Sequence, residues 1–221
     1  MNCKNILNRC NLIKCLMMIS VIACHSLAYW TNNWFLRKPA IDSYALGVLS
    51  DWLGTFHIWT FAFISGYIFC YSKFEAGKYS CMAQSIKSRA IRILVPYCFA
   101  AIFWVVPWYI FGTGPSQLWF LLMIFSLYVI FLPMSDYIYH SSFSKGIVIS
   151  LLFWIMSFIG GKFTPNIFQV WTACYCFLFY FLGFSARKYQ CKYIANVRWY
   201  YYFFLNILFF MIALHLKDCP N

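Results

Sequence analysis

Two histidines, His25 and His57, lie inside apolar stretches. An ionisable side chain there is expensive and marks a functional candidate by default. Neutral imidazole is cheaper to bury than a charge, and it is the usual general base near neutral pH. His25 lies five residues before Trp30, near the outer end of one apolar run, and His57 lies five residues after Trp52, near the outer start of the next. At about 1.5 Å per helical residue both sit roughly 7–8 Å below the same boundary. A pair at one depth suits acid–base or nucleophilic work on a hydroxyl. Two unrelated histidines, each bonded to nearby backbone or hydroxyls, are the alternative.

Three cations extend this pattern. Lys14 is eleven residues before His25, about 16 Å along a helix and three turns plus about 20° around it, so both fall on one face. A ligand lying along that face would touch both; snorkelling of Lys14 to the headgroups is the competing reading. Arg89 and Arg92 are three residues apart at the entrance to another apolar run, and that spacing projects them to one side. Paired guanidiniums suit phosphates through bidentate bonds, although flanking charges and lipid headgroup contacts use the same residues. The other two histidines, His140 and His215, and the eleven cysteines have no zinc-type spacing. No metal centre is expected. The odd cysteine count and the burial of many in apolar runs (Cys15, Cys24, Cys70, Cys98, Cys174, Cys176) also argue against a disulfide framework.

These residues must be positioned by membrane helices. Of 221 residues, 63% are apolar and 10% charged, against roughly 45–50% and 25% in globular domains. So few charges cannot cover a soluble surface, and an aromatic content of 24% excludes disorder. An all-α, polytopic membrane bundle remains. About seven spans are predicted, over 12–30, 52–72, 93–111, 118–134, 147–161, 167–184 and 200–216. With the N-terminus cytoplasmic, 13 Lys and Arg fall inside and 4 outside, which obeys the positive-inside rule and places the C-terminus outside. The net charge of +12 is therefore a topology signal and not a nucleic-acid surface. The stretch ending Val21-Ile22-Ala23-Cys24 resembles a lipoprotein cleavage box, but more spans follow it instead of a soluble domain. Gly160-Gly161 and Gly112-Thr113-Gly114-Pro115 read as turns, Tyr200-Tyr201-Tyr202 as interfacial anchors, and Asp51, about 240° around the helix from His57, as an interfacial charge.

Four stretches together resemble the membrane acyltransferase-3 family, whose members O-acetylate bacterial surface polysaccharides and similar acceptors. Lys14 and His25, with ten residues between them, are similar to the family's basic residue and histidine, Lys replacing the commoner Arg. Phe56-His57-Ile58-Trp59 through Ser65-Gly66-Tyr67 resembles its histidine, aromatic run and Ser-Gly. Arg89-Ala90-Ile91-Arg92 before Leu94-Val95-Pro96-Tyr97 resembles its paired arginines, and Leu118-Trp119-Phe120-Leu121 its Trp-Phe motif. The likeness is strongest over 10–134.

The resemblance implies a single acyltransferase-like domain over 1–221 in a bacterial inner membrane. It implies acetyl-CoA as donor substrate, no permanently bound cofactor, and a lipid-linked or polymeric glycan such as O-antigen as acceptor. The donor's phosphates would sit on Arg89, Arg92 and Lys14. His25 would deprotonate the acceptor hydroxyl or carry the acyl group, and His57 would orient His25 or bind the carbonyl. Trp119 and Phe120 would line the outer mouth, a place an aromatic belt also explains. Relatives have more spans, so the last ones are expected to be missing and activity to depend on self-association or a membrane partner. An inactive remnant or partner subunit, and a small transporter or flippase for a lipid-linked sugar, are the rival readings.

Overall fold

The computed structural model describes residues 3–31, 41, 43–79, 81–111 and 119–189, with Phe204, Ile207, Leu208 and Met211; the side chains of 3–6, 29, 31, 101 and 103–111 lie outside that description. Its elements are α1 (Cys3–Leu27), α2 (Tyr44–Cys70), α3 (Met82–Phe111), α4 (Trp119–His140), α5 (Phe143–Phe163) and α6 (Val170–Lys188). A π-helical turn, Tyr71–Glu75, ends α2, and 3₁₀ turns at Ala28–Thr31 and Ile167–Gln169 follow α1 and precede α6. No strand occurs among the described residues. Helices satisfy every backbone N–H and C=O within the segment, which hydrocarbon surroundings demand.

Five described helices are long and apolar enough to cross a membrane: Leu7–Leu27, Tyr44–Glu75, Trp119–His140, Phe143–Phe163 and Ile167–Lys188. The chain is a helical multi-pass membrane protein. The span expected over 93–111 lies within α3, and most of the one expected over 200–216 lies outside the described residues. Helices overrun the apolar windows. α2 starts eight residues before 52, and α3 starts eleven before 93 and so contains both Arg89 and Arg92. The polar first turns of α3, Met82-Ala83-Gln84-Ser85-Ile86-Lys87, suit a helix well but fall below any hydropathy threshold. Gly160-Gly161 is not a turn. α5 runs through to Phe163, and a Cβ at Gly160 would strike the Trp171 ring. The glycine there makes room for an indole.

The chain divides into two compact units. One comprises Met1–Cys10 and Trp59–Lys188, the other Asn11–Ile58 and Tyr189–Asn221.

The core of the first unit is aromatic. Phe69, Tyr128, Phe131, Phe177, Tyr180 and Phe184 are fully buried, with Phe131 4.7 Å from Tyr180 and 5.1 Å from Phe184 by ring centroids. α2 and α6 cross there at backbone contact. A Cβ on Gly66 would meet the Tyr180 carbonyl, and one on Gly183 the Phe63 carbonyl. The same pair is tied by charge at one end. Arg187 donates from Nε to Glu75 Oε1 at 2.5 Å and from a terminal nitrogen to Oε2, and its Cζ lies 5.3 Å from the Tyr71 ring centroid. Lys73 Nζ ties the π-turn to α4 through Ser135 Oγ at 2.6 Å and Asp136 Oδ2 at 2.7 Å.

In the second unit α1 meets α2 through reciprocal bonds. Ser50 Oγ donates to the Cys24 carbonyl at 3.0 Å, and Cys24 Sγ donates to the Ser50 carbonyl at 3.4 Å. Gly47 lets the chain pass, since a Cβ there would stand 2.7 Å from the Trp30 carbonyl oxygen.

Candidate active site

The second unit holds both histidines. α1 has one sheltered stripe, in which Lys14, Met17, Val21 and His25 are half-buried and Cys24 and Ala28 buried, while Leu12, Leu16, Ile19 and Ile22 are exposed. Lys14 and His25 therefore share a face, as their spacing predicts. Cys24, the cysteine of the cleavage-box resemblance, is occupied in the α1–α2 crossing. That crossing fixes the helix turn bearing His25.

His57 lies seven residues beyond Ser50 on α2 and is 9% exposed. Its Nδ1 is 2.8 Å from the Leu53 carbonyl oxygen. A carbonyl only accepts, so Nδ1 carries a hydrogen, and in the neutral ring the lone pair is on Nε2. The ring is thus oriented by its own helix, with the basic nitrogen directed away from the backbone. His25 and His57 are within electrostatic range of each other. Asp51 also lies within electrostatic range of Cys24, next to His25 in sequence. Helix-wheel reasoning against His57 alone discounted it. The signal for its position is the α1–α2 crossing, which a single sequence does not reveal.

The first unit holds the other candidates. The two arginines have different surroundings. Arg89 Cζ lies 4.5 Å over the Tyr128 ring, with Nε buried and without a hydrogen-bond partner among the described residues, whereas Arg92 is exposed. A guanidinium over an aromatic face is favourable. Trp119 and Phe120 are half-buried at the start of α4. Phe120 packs edge-on against Phe61 at 5.2 Å, so this aromatic joins α4 to α2. Trp59 does the same for α6, 4.6 Å from Phe179 and 5.1 Å from Tyr175. The aromatic run after His57 is in large part a packing surface.

A family comparison decides the class. Residues 7–216 match the profile of the acyltransferase-3 family, described as an acyltransferase domain. The chain belongs to the acyltransferase-3 family. The match extends the likeness far beyond 10–134, over α4, α5, α6 and the segment that follows. Comparisons with curated proteins and with solved structures gave no match. Membership in the acyltransferase-3 family supplies the activity class, a membrane acyltransferase. An imidazole is a side chain able to move a proton or carry an acyl group, and the described residues place His25 on α1 and His57 on α2.

Proposed function

We propose that this acyltransferase-3 protein moves an acetyl group from acetyl-CoA to a hydroxyl of a bacterial cell-surface glycan, O-antigen being one such acceptor. The observation that carries the reading is the pair of imidazoles within electrostatic range of each other, on two helices locked together at Cys24 and Ser50. In the proposed step His25 takes the acceptor's hydroxyl proton as that oxygen attacks the thioester carbonyl. The C–S bond breaks, and the departing thiolate receives the proton to leave as free CoA. His57 orients His25 or holds the carbonyl. Arg89, Arg92 and Lys14 neutralise donor phosphates, and Trp119 and Phe120 face the acceptor. No permanently bound cofactor is needed. In this reading the protein lies in the inner membrane with the N-terminus cytoplasmic and the C-terminus outside. Membrane lipids surround it, and it associates with itself or with a membrane partner.

The test is the acetylation state of the surface glycan in cells with and without the protein. Unchanged acetylation, with sugar-lipid movement that follows the proton gradient and needs no acyl-CoA, would favour the transporter reading.

Two further outcomes are expected. Arg89→Ala with Arg92→Ala should raise the donor KM far more than the acceptor KM, because each lost bond to a charged group is worth about 1.5–3 kcal/mol. Steady-state kinetics with both substrates varied checks this, and an unchanged donor KM would leave the pair as topology signals. Single cysteines introduced between Lys78 and Lys87 should resist an impermeant thiol reagent in intact cells, whereas those beside Arg37 and Lys38 should react. Strong labelling of the first set would reverse the orientation. Arg37 and Lys38 themselves lie outside the described residues.

A further inference from the structure

The first unit contains a cavity of about 340 Å³ at the end of α2, lined by Lys73, Phe74, Gly77, Lys78, Tyr79, Met82, Leu132 and Asp136. None of these residues belongs to the candidate active site. Its volume is at the lower end of small-ligand pockets, which run from about 300 to 1,000 Å³.

The charges in it are not equivalent. Lys73 is held by Ser135 and Asp136, its side chain 13% exposed against 67% for Asp136, so this lysine and this acid largely cancel. Lys78 is exposed and forms no ion pair among the described residues. It stands on a turn folded back on the π-helical end of α2, its N–H donating to the Ser72 carbonyl at 2.9 Å. Left-handed backbone at Gly77 (φ 62°) and at Tyr79 (φ 74°) shapes that turn. The strain at Tyr79, a non-glycine residue, is retained where surrounding structure over-determines it. Here the Tyr79 ring stacks on Phe69 at 5.6 Å and meets Tyr128 edge-on at 5.9 Å. Tyr128 is the ring that carries Arg89. A second cation therefore stands one ring behind the cavity wall. The remaining walls, Phe74, Met82 and Leu132, are apolar.

We infer that this cavity binds a phosphate ester, with Lys78 as the charge that recognises the phosphate and the aromatic and apolar walls holding an attached nonpolar or planar body. An ammonium on a flexible stem is a good phosphate ligand as a point charge, and the compensation of Lys73 by Asp136 leaves the site with a net positive charge. Such a ligand has two sources, the nucleotide end of a soluble donor and the headgroup of an anionic lipid. The inference stands on the cavity alone and does not require acyl transfer.

The experiment uses the full chain in phosphatidylcholine nanodiscs. Adenosine 3′,5′-bisphosphate is titrated in one arm. In the other, phosphatidylglycerol binding is read by native mass spectrometry. One of the two probes should bind saturably, and which one does so identifies the source. Lys78→Ala should weaken that binding about tenfold or more, and Lys78→Arg should retain most of it. Lys145→Ala, which removes an exposed cation at the start of α5, should leave it unchanged. The inference is overturned by no saturable binding of either probe, by full binding in Lys78→Ala, or by an equal loss in Lys145→Ala, which would indicate diffuse charge.

Discussion

Replacing His25 by alanine is expected to lower acyl transfer by about 10²–10⁴-fold, the usual cost of a positioned general base, while the protein still inserts and folds. The fold should survive because the α1–α2 crossing is made by Cys24 and Ser50 and by the close passage at Gly47, none of which the substitution touches. His25 is also only half-buried, so its truncation leaves a small void. Transfer of labelled acetyl, read beside the size-exclusion profile of the purified variant, checks both halves. Near-normal transfer would remove His25 from the chemistry. His57→Ala should be damaging as well, since the Leu53 bond presents its Nε2 as a base or acceptor.

The second large effect concerns the fold. Gly66→Leu should abolish or severely reduce folded protein, because its side chain must occupy the α6 backbone at Tyr180, with Phe184 N also only 3.1 Å from the Cβ position. Overpacking a core typically costs about 1–3 kcal/mol, and more where the obstacle cannot rotate away; here it is another helix's main chain. Gly161→Leu is the control, since nothing lies within 4 Å of a Cβ there. Fluorescence-detected size exclusion and thermal unfolding in detergent should show loss for the first and little change for the second. A native-like Tm for Gly66→Leu would contradict the close α2–α6 crossing.

Much of this was legible in the sequence, for identifiable reasons. Six of the expected apolar runs are helices among the described residues because hydrocarbon admits little else, and Lys14 and His25 share a face because helix periodicity is rigid. Helix ends were not legible, since the polar turns of α3 are helical by propensity and tertiary setting while carrying no apolar signal. Long-range pairs were also hidden. Glu75 and Arg187 are 112 residues apart, and Lys73 and Asp136 are 63 apart; the topology count treated these cations only as flanking charges. Ser65-Gly66 stands out as a motif in the sequence, and the crossing of α2 and α6 supplies a physical reason for its glycine. Gly183, which does the same from the other helix, belongs to no motif that the sequence shows. Phe120, expected at an acceptor mouth, also packs on Phe61, a reminder that an aromatic motif can hold helices together.

The decisive measurement is transfer of labelled acetyl by the purified protein in proteoliposomes, with acetyl-CoA supplied to the face bearing Lys78–Lys87 and a glycan acceptor to the other. Label should appear on an acceptor hydroxyl, depend on acetyl-CoA, and fall to background in His25→Ala. Acceptor that stays unlabelled while the protein is folded and acetyl-CoA is present, or label that accumulates equally in His25→Ala, would contradict an acyl transfer centred on the α1–α2 histidine pair.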